Sequence, residues 1–361
     1  MTRASSEAVD EAIRRVERWL LTSSLQIPDG PQRGGIAGWL DAHGRPEFVY
    51  LEITGYYLTS MAWLIAGGAR SRESGELARL RGQRAVEWMA RSVGGGQLPP
   101  TRLYLADAPP EDWRNDAIFS FDLAMAIRGL DAFNDVVGLA AARAAVEDLA
   151  DRLREIAGDA RVLRSHLETG GQRPPTRWST RPGPHHLKAA AALLEVPSDA
   201  SLAAIAQATW QRWSRAFRAG LLVHELHPFA YGLEGIAMAV DVPLEAAERP
   251  FRRMMECQRA DGSLPAEASG SPLVRADVLA QALRLGVLLR RAGRLAGDDW
   301  RDRLDRLAAR LLDHIRPDGS VAFSSGQAIA NGWCAMFAQQ ALVLYRDLDP
   351  TTAALGRRFL I

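Results

Sequence analysis

An all-α fold is predicted by three observations. Apolar residues recur with the 3.6-residue period of a helix almost from end to end, strand-like alternation is scarce, and the helical segments alternate between two kinds. The periodicity predicts helices over 6–24, 52–67, 75–93, 117–135, 137–157, 184–196, 199–217, 228–241, 243–258, 276–293, 297–315 and 332–347, with boundaries good to about three residues. Turn chemistry falls between them, in chain order at Pro28-Asp29-Gly30, Gly94-Gly95-Gly96, Pro174-Pro175, Asp261-Gly262 and Pro317-Asp318-Gly319. Odd-numbered segments are amphipathic. In 297–315, Trp300, Leu304, Leu307, Leu311 and Ile315 keep one face while Arg and Asp fill the other, as suits a helix with one solvated side. Even-numbered segments are apolar nearly all round, as at 189–194 and 283–289, and such a helix is buried on every side. Gly55, Ala124, Gly232, Gly235 and Gly286 would let these helices approach closely.

The links alternate as well. Those after even segments are short, whereas 25–51, 94–116 and 158–183 run to about 25 residues, a length that in a compact domain usually signals function. Six hairpins, each with an inner and an outer helix, make an (α/α)6 toroid over residues 1–361 as one domain. The long loops and the starts of the inner helices then gather at one end of the barrel. An open solenoid would show a regular repeat period, which is absent.

Composition excludes several classes. The 361 residues are 47% hydrophobic and 24% charged, with 44 basic against 43 acidic side chains and a net charge of +1. That balance argues against nucleic acid as the main partner. Two cysteines, Cys257 and Cys334, give neither a disulfide framework nor a thiolate zinc site. No apolar leader and no membrane-length apolar run is visible, so a cytoplasmic protein is expected. Neither a Rossmann glycine motif after a strand nor a Walker loop is present, so no such cofactor is implied. Basic residues are all arginine except Lys188.

Polar residues cluster at the starts of the even helices. They are Glu52, Thr54, Tyr56 and Tyr57; Asp116, Ser120 and Asp122; His185, His186 and Lys188; His224, Glu225 and His227; Arg275 and Asp277; Asn331 and Trp333. In a toroid all six sets converge on one mouth. Helix capping accounts for Asp116, Asp277 and Asn331. It does not account for His-His-x-Lys, Glu-x-His or a Tyr-Tyr pair.

Several segments carry a resemblance. The turns at Gln26–Gly30, Gln258–Ser263 and Arg316–Ser320 are similar to the repeats of squalene-cyclase and prenyltransferase toroids, though without their usual Trp. Glu52-Ile-Thr-Gly-Tyr56, Phe121-Asp122, His185-His186-Leu-Lys188, the stretch Glu225-Leu-His227-Pro-Phe-Ala-Tyr-Gly-Leu-Glu234-Gly235 and Asn331-Gly-Trp333 resemble a bacterial family of α/α-toroid proteins associated with polysaccharide genes. Those proteins are labelled six-hairpin glycosidase-like or prenyltransferase-like. The resemblance implies the toroid, and both glycan-active and non-catalytic roles are attached to it. The aspartate motifs of terpene cyclases and the zinc set of protein prenyltransferases are missing, which lowers an isoprenoid reading.

Chemistry narrows the candidates. Glu52, Asp122 and Glu225 are the carboxylates suited to glycoside hydrolysis, which needs two such groups, and His227 offers a second proton carrier beside Glu225. His227 reads equally as a buried histidine bonded to a carbonyl. Glu234 reads as a buried, paired carboxylate. Substrate binding falls to Tyr56, Tyr57, Trp113, Arg177, Arg181, His185, His186, Lys188, Asn331 and Trp333. Trp39, Trp113, Trp178 and Trp333 lie on loops or at an inner-helix start, where they serve sugar stacking or loop packing. From Arg161 to Lys188 six basic residues face a single acid, Glu168, a surplus of +5 that suits a uronate or phosphate. Without a His-x-x-x-His pair the histidines suit hydrogen bonding rather than a metal. The expected function is a carbohydrate-active enzyme, foremost a glycoside hydrolase, on a small or oligomeric, polar or anionic glycan. A uronate epimerase or lyase using Tyr56, Tyr57 or His227, a terpenoid-cyclase-like enzyme and a non-catalytic binding toroid are the alternatives.

Overall fold

The computed structural model describes residues 5–96, 98–107, 109–196, 200–221, 223–239, 242–347 and 357–361. Twelve helices appear among them: α1 Ser6–Thr22, α2 Leu51–Trp63, α3 Arg72–Val93, α4 Ser120–Val137, α5 Ala140–Ala157, α6 His186–Glu195, α7 Ala200–Arg218, α8 Leu226–Met238, α9 Glu245–Met255, α10 Ala276–Arg291, α11 Asp298–Leu312 and α12 Gly332–Arg346. The even-numbered helices touch in the cyclic order α2, α4, α6, α8, α10, α12 and back to α2, so the ring closes. Each packs an odd-numbered helix on its outside, with α1 against α12 completing the set. This is the (α/α)6 toroid expected from the alternation of helix types.

Burial follows the pattern that predicted it. Every residue of α2 and α8 is buried. In α11 only one stripe is, including Trp300, Leu304, Leu307 and Leu311. Glycine sets the inner spacing at two contacts. A Cβ on Gly55 would lie 2.5 Å from the Met125 carbonyl oxygen of α4, and one on Gly235 would lie 2.5 Å from Leu187 and Lys188 backbone atoms of α6. Gly232 and Gly286 serve the other interface: their faces meet Phe217 of α7 and Leu304 of α11, so they seat inner helices on outer ones.

The loops differ from expectation in one respect. Residues 117–119, expected as helix, form a strand instead, and five further short strands lie in the long loops. The strands are β1 Trp39–Leu40, β2 Phe48–Val49, β3 Leu103–Tyr104, β4 Ala117–Phe119, β5 His166–Glu168 and β6 Ala330–Asn331. They pair antiparallel as β1 with β6, β2 with β3 and β4 with β5. Such two-residue and three-residue ribbons leave almost no periodic signal, and their pairing joins loops far apart in sequence. Their effect is to fasten the loops into a collar around the inner-helix starts. α2 continues into a π-helical turn, Leu64–Gly68, so the chain stays helical to near 67 as expected, and Gly67 at φ 123° ends it. The expected bounds at 199 and 240–241 lie outside the described residues.

Residues 357–361 pack against the inner helices α4 and α12. Phe359, Leu360 and Ile361 are buried. Arg128 of α4 donates to the Leu360 and Arg358 carbonyls, and Gln340 of α12 donates to the Phe359 carbonyl at 2.7 Å. No described helix is long and apolar enough to cross a membrane.

Candidate active site

All six inner-helix starts open onto one cavity of about 430 Å³. Glu52 comes from α2, Asp122 from α4, His227 and Tyr231 from α8 and Trp333 from α12, while His185 and Arg275 stand just ahead of α6 and α10. The collar supplies Trp39, Arg102, Trp113, Arg114, Arg177 and Trp178. Trp178 contacts two imidazoles, 5.2 Å from the His185 ring and 5.6 Å from the His227 ring, nearly perpendicular to both.

The two carboxylates at the rim are poised to hold a proton. Burial pushes Glu52 up to about 7, against the opposing pull of Tyr50 and the more distant charge of Lys188. Burial, then the charge of Glu52, raises Asp122 well above the usual carboxylate range, although Tyr50 donates to Asp122 Oδ2 at 3.0 Å. Neither forms an ion pair among the described residues. The imidazoles are pushed the other way. Burial lowers His227 to about 4, only partly offset by Asp277, and burial with the neighbouring His186 and His227 lowers His185 well below its ordinary value. Both rings are therefore neutral at pH 7.

Positive charge lines the same space. Arg102 and Arg114 share Asp112, at 3.4 and 2.9 Å. Arg102 also lies over the Trp39 and Phe48 rings, at 4.9 and 4.7 Å, and Arg114 over Trp113 at 4.5 Å. Arg275 grips Asp277 through two hydrogen bonds of 3.0 and 2.6 Å. Arg177 is exposed at the rim and forms no ion pair among the described residues.

Beneath the cavity the axis is filled. Lys188 Nζ donates to Glu234 Oε2 at 2.9 Å and lies over the rings of Tyr231 at 4.5 Å and Tyr56 at 4.8 Å. Arg284 binds the other oxygen of Glu234, and Gln281 Nε2 donates to Oε2 at 3.2 Å. Burial alone would raise Glu234, but Lys188 and Arg284 outweigh it and hold the carboxyl below its ordinary value. Burial brings Lys188 down to about 7.

The placement of the expected residues follows from helix geometry. Glu52, Asp122, His227, Trp113, Arg177, His185, Asn331 and Trp333 line the cavity, as do the loop tryptophans Trp39 and Trp178. Glu225 does not: it is the half-buried residue at the entry of α8, its backbone bridged to Glu267. Tyr56 lies below the rim, edge-on to Phe337 at 5.4 Å. Tyr57, about 100° further round α2, donates to the Leu20 carbonyl of α1 at 3.1 Å. His186 likewise turns outward and stacks on Trp213 of α7 at 6.1 Å. Arg181 is exposed outside the cavity, and Lys188 is buried beneath it and does not line it. Capping holds for Asn331, whose Oδ1 accepts from the Cys334 amide at 2.9 Å, even though it also lines the cavity. Asp277 is not the cap expected: it is the second residue of α10, whose start has no side-chain cap, and it binds Arg275 and accepts from Trp333 Nε1 at 3.1 Å. Asp116 ties two loops together through the Gln172 amide at 2.9 Å.

Tyr50, Arg102 and Arg114 were not among the expected site residues. Tyr50 carries a faint signal, two residues ahead of Glu52. Arg102 reaches the cavity only because β3 pairs with β2, a juxtaposition of distant loops that no local pattern announces.

Comparison with protein-family models and with curated proteins finds no match. Solved structures do match over nearly the whole chain. The cellobiose 2-epimerase of Bacillus thermoamylovorans B4167 aligns with 95% of this chain and 100% of its own, at 12% identity and a TM-score of 0.69. A D-mannose isomerase aligns over 94% and 98%, at 11% identity and 0.70. An unsaturated glucuronyl hydrolase specific for heparin aligns over 94% and 96%, at 12% identity and 0.62. The class defined by these likenesses is the six-hairpin (α/α)6 toroid. At such identities it is the fold that is shared.

Proposed function

We propose that the protein is a carbohydrate-active enzyme that hydrolyses a glycosidic bond in a polar or anionic glycan seated at the mouth of the barrel. One observation carries this reading: Glu52 and Asp122 start adjacent inner helices and line one cavity without an ion-pair partner among the described residues, and burial raises both, Glu52 to about 7. Hydrolysis needs a carboxyl that donates to the leaving oxygen and a carboxylate that activates water or attacks the sugar. A buried pair whose charges oppose each other supplies one of each. His227, neutral at pH 7, is a further proton acceptor on the opposite wall. The four tryptophans offer flat apolar faces to sugar rings. Arg102, Arg114, Arg177 and Arg275 outnumber the nearby Asp112 and Asp277, which suits a carboxylate-bearing or phosphate-bearing sugar. The fold's occurrence in a glucuronyl hydrolase supports the anionic reading. A terpenoid cyclase needs a deep apolar chamber, whereas here the axis below Tyr231 is occupied by Lys188, Glu234 and Arg284.

Epimerisation or isomerisation of a sugar is the second reading, favoured by the two neutral imidazoles that line the cavity against Trp178 and by the fold's occurrence in an epimerase and an isomerase. The experiment is an activity screen on neutral and uronic-acid oligosaccharides and free aldoses, with the pH dependence of kcat/KM for any hit. Hydrolysis with Glu52 as the acid falls off above about pH 7. Epimerisation with His227 as the base falls off only below about pH 4. Specific sugar binding without turnover across the screen would leave a binding toroid in place of an enzyme.

A further inference from the structure

His227 is held by a chain of side chains that runs from the cavity to its floor. Its Nδ1 lies 2.9 Å from Gln281 Oε1 and 3.5 Å from Asp277 Oδ2. Nδ1 and Nε2 are chemically distinct, and the group facing each nitrogen decides which one carries the hydrogen. Asp277 is ionised: burial opposes this, but the charge and two hydrogen bonds of Arg275 outweigh it, so the carboxylate can only accept. Gln281 has both a carbonyl and an amide to offer, and its choice is made on its far side. There Gln281 Nε2 meets Glu234 Oε2 at 3.2 Å. Glu234 is an anion because the Arg284 guanidinium and Lys188 both bind it, and an anion has no proton to give. Gln281 must therefore turn its NH2 to Glu234 and its carbonyl to His227. Both groups facing Nδ1 are then acceptors, so Nδ1 carries the hydrogen. Nε2, with no hydrogen bond among the described residues, keeps its lone pair on a ring that lines the cavity.

We propose that Gln281 is a positioning residue that locks His227 in the Nδ1–H tautomer, its amide oriented by Glu234 and the Arg284 and Lys188 donors behind it. Neither Gln281 nor Glu234 lines the cavity, so their action is exerted through the ring. The device makes His227 an acceptor toward whatever occupies the mouth: it takes a proton or a hydroxyl hydrogen bond and donates neither. Use of that lone pair in a reaction rests on the acid–base reading above; the tautomer does not.

The test is a two-bond proton–nitrogen correlation spectrum of substrate-free protein with 15N-labelled histidine at pH 7. The chain has seven histidines, and His227 is assigned by the signal lost in H227N. The wild type is expected to show a pyrrole-type Nδ1 and a pyridine-type Nε2 at His227. In Gln281→Leu only Asp277, at the longer distance, remains to accept, and the hydrogen shifts measurably towards Nε2. In Gln281→Glu the new carboxyl, facing the Glu234 anion, takes up a proton, donates it in a hydrogen bond to Glu234 and accepts from His227, so the wild-type pattern returns. A wild-type His227 carrying its hydrogen on Nε2, a Q281L spectrum identical to wild type, or a Q281E spectrum with the Nε2–H form would each overturn the proposal. If Q281L does not fold, the wild-type and Q281E spectra still decide it. A protein inactive on every sugar would remove the catalytic reading and leave these spectra unchanged, so the two failures are distinguishable.

Discussion

Glu234 and Glu52 sit on inner helices of the same ring, both buried, in opposite surroundings. Glu234 has Lys188 at 2.9 Å, Arg284 on its other oxygen and Gln281 beside it. Glu52 has no ion-pair partner among the described residues and a second carboxyl, Asp122, for a neighbour. The floor of the barrel neutralises its carboxylate and thereby fixes it as an anion. The rim leaves its carboxyls unneutralised, so that protonation is their only relief. A structural charge and a chemically usable one are thus told apart by what stands beside them, since burial alone is common to both.

The largest effect should come from removing titration at the rim. Glu52→Gln or Asp122→Asn is expected to lower kcat by about 10²–10⁴-fold while thermal unfolding stays at or above the wild-type temperature, because an amide needs no proton to be buried neutral. Activity assays with unfolding scans check both halves; a variant that keeps full activity removes its residue from the chemistry. Next comes the floor. Glu234→Gln leaves Arg284 and Lys188 buried without a counter-charge and should cost about 3–5 kcal/mol in denaturant unfolding. Lys188→Met, which leaves the Glu234–Arg284 pair intact and keeps the contacts with Tyr56 and Tyr231, should cost about 1 kcal/mol or less. Equal costs for the two would mean that Lys188, and not Arg284, is the counter-ion that matters.

The pH dependence of stability sharpens the contrast further. Glu52 has a folded value of about 7 against an ordinary 4.5, so the native state holds its proton more tightly. Its stabilisation is complete below about pH 4.5 and is lost as pH rises through 7, a drop of order 3 kcal/mol that E52Q should abolish. Lys188 has a folded value of about 7 against 10.5, so the unfolded state holds that proton more tightly and stability climbs from pH 7 towards 10.5. K188M should flatten that climb. Urea unfolding at a series of pH values reads both slopes. The smallest effect is expected at Glu225: outside the cavity, Glu225→Gln should change activity by no more than about twofold.

The ring was legible because its cause is local. Alternation of one-sided and all-round apolar helices is written in each segment, and it implies inner and outer layers before any contact is known. Helix starts were legible for the same reason, and they placed Glu52, Asp122, His185, His227 and Trp333 at the mouth. Sequence could not show which way neighbouring residues turn. Tyr56 and Tyr57, or His185 and His186, are adjacent in the chain and yet face different partners. Glu225 looked as good as Glu52 because its distance from the axis depends on how the chain enters α8. Arg102 and Arg114 were hidden because they reach the cavity through a collar of short strands whose pairing is set by tertiary contact.

Lys188 has a consequence of a different kind. It is the chain's one lysine, and its side chain is fully enclosed. Reagents that acylate amines therefore meet no ε-amino group on the surface of the folded barrel, however many arginines it displays. Apart from the α-amine, such a reagent marks a molecule only when the ring has come apart far enough to expose the floor. Pulse labelling followed by mass measurement then counts openings one molecule at a time, and its rate gives the lifetime of the closed ring without any activity assay.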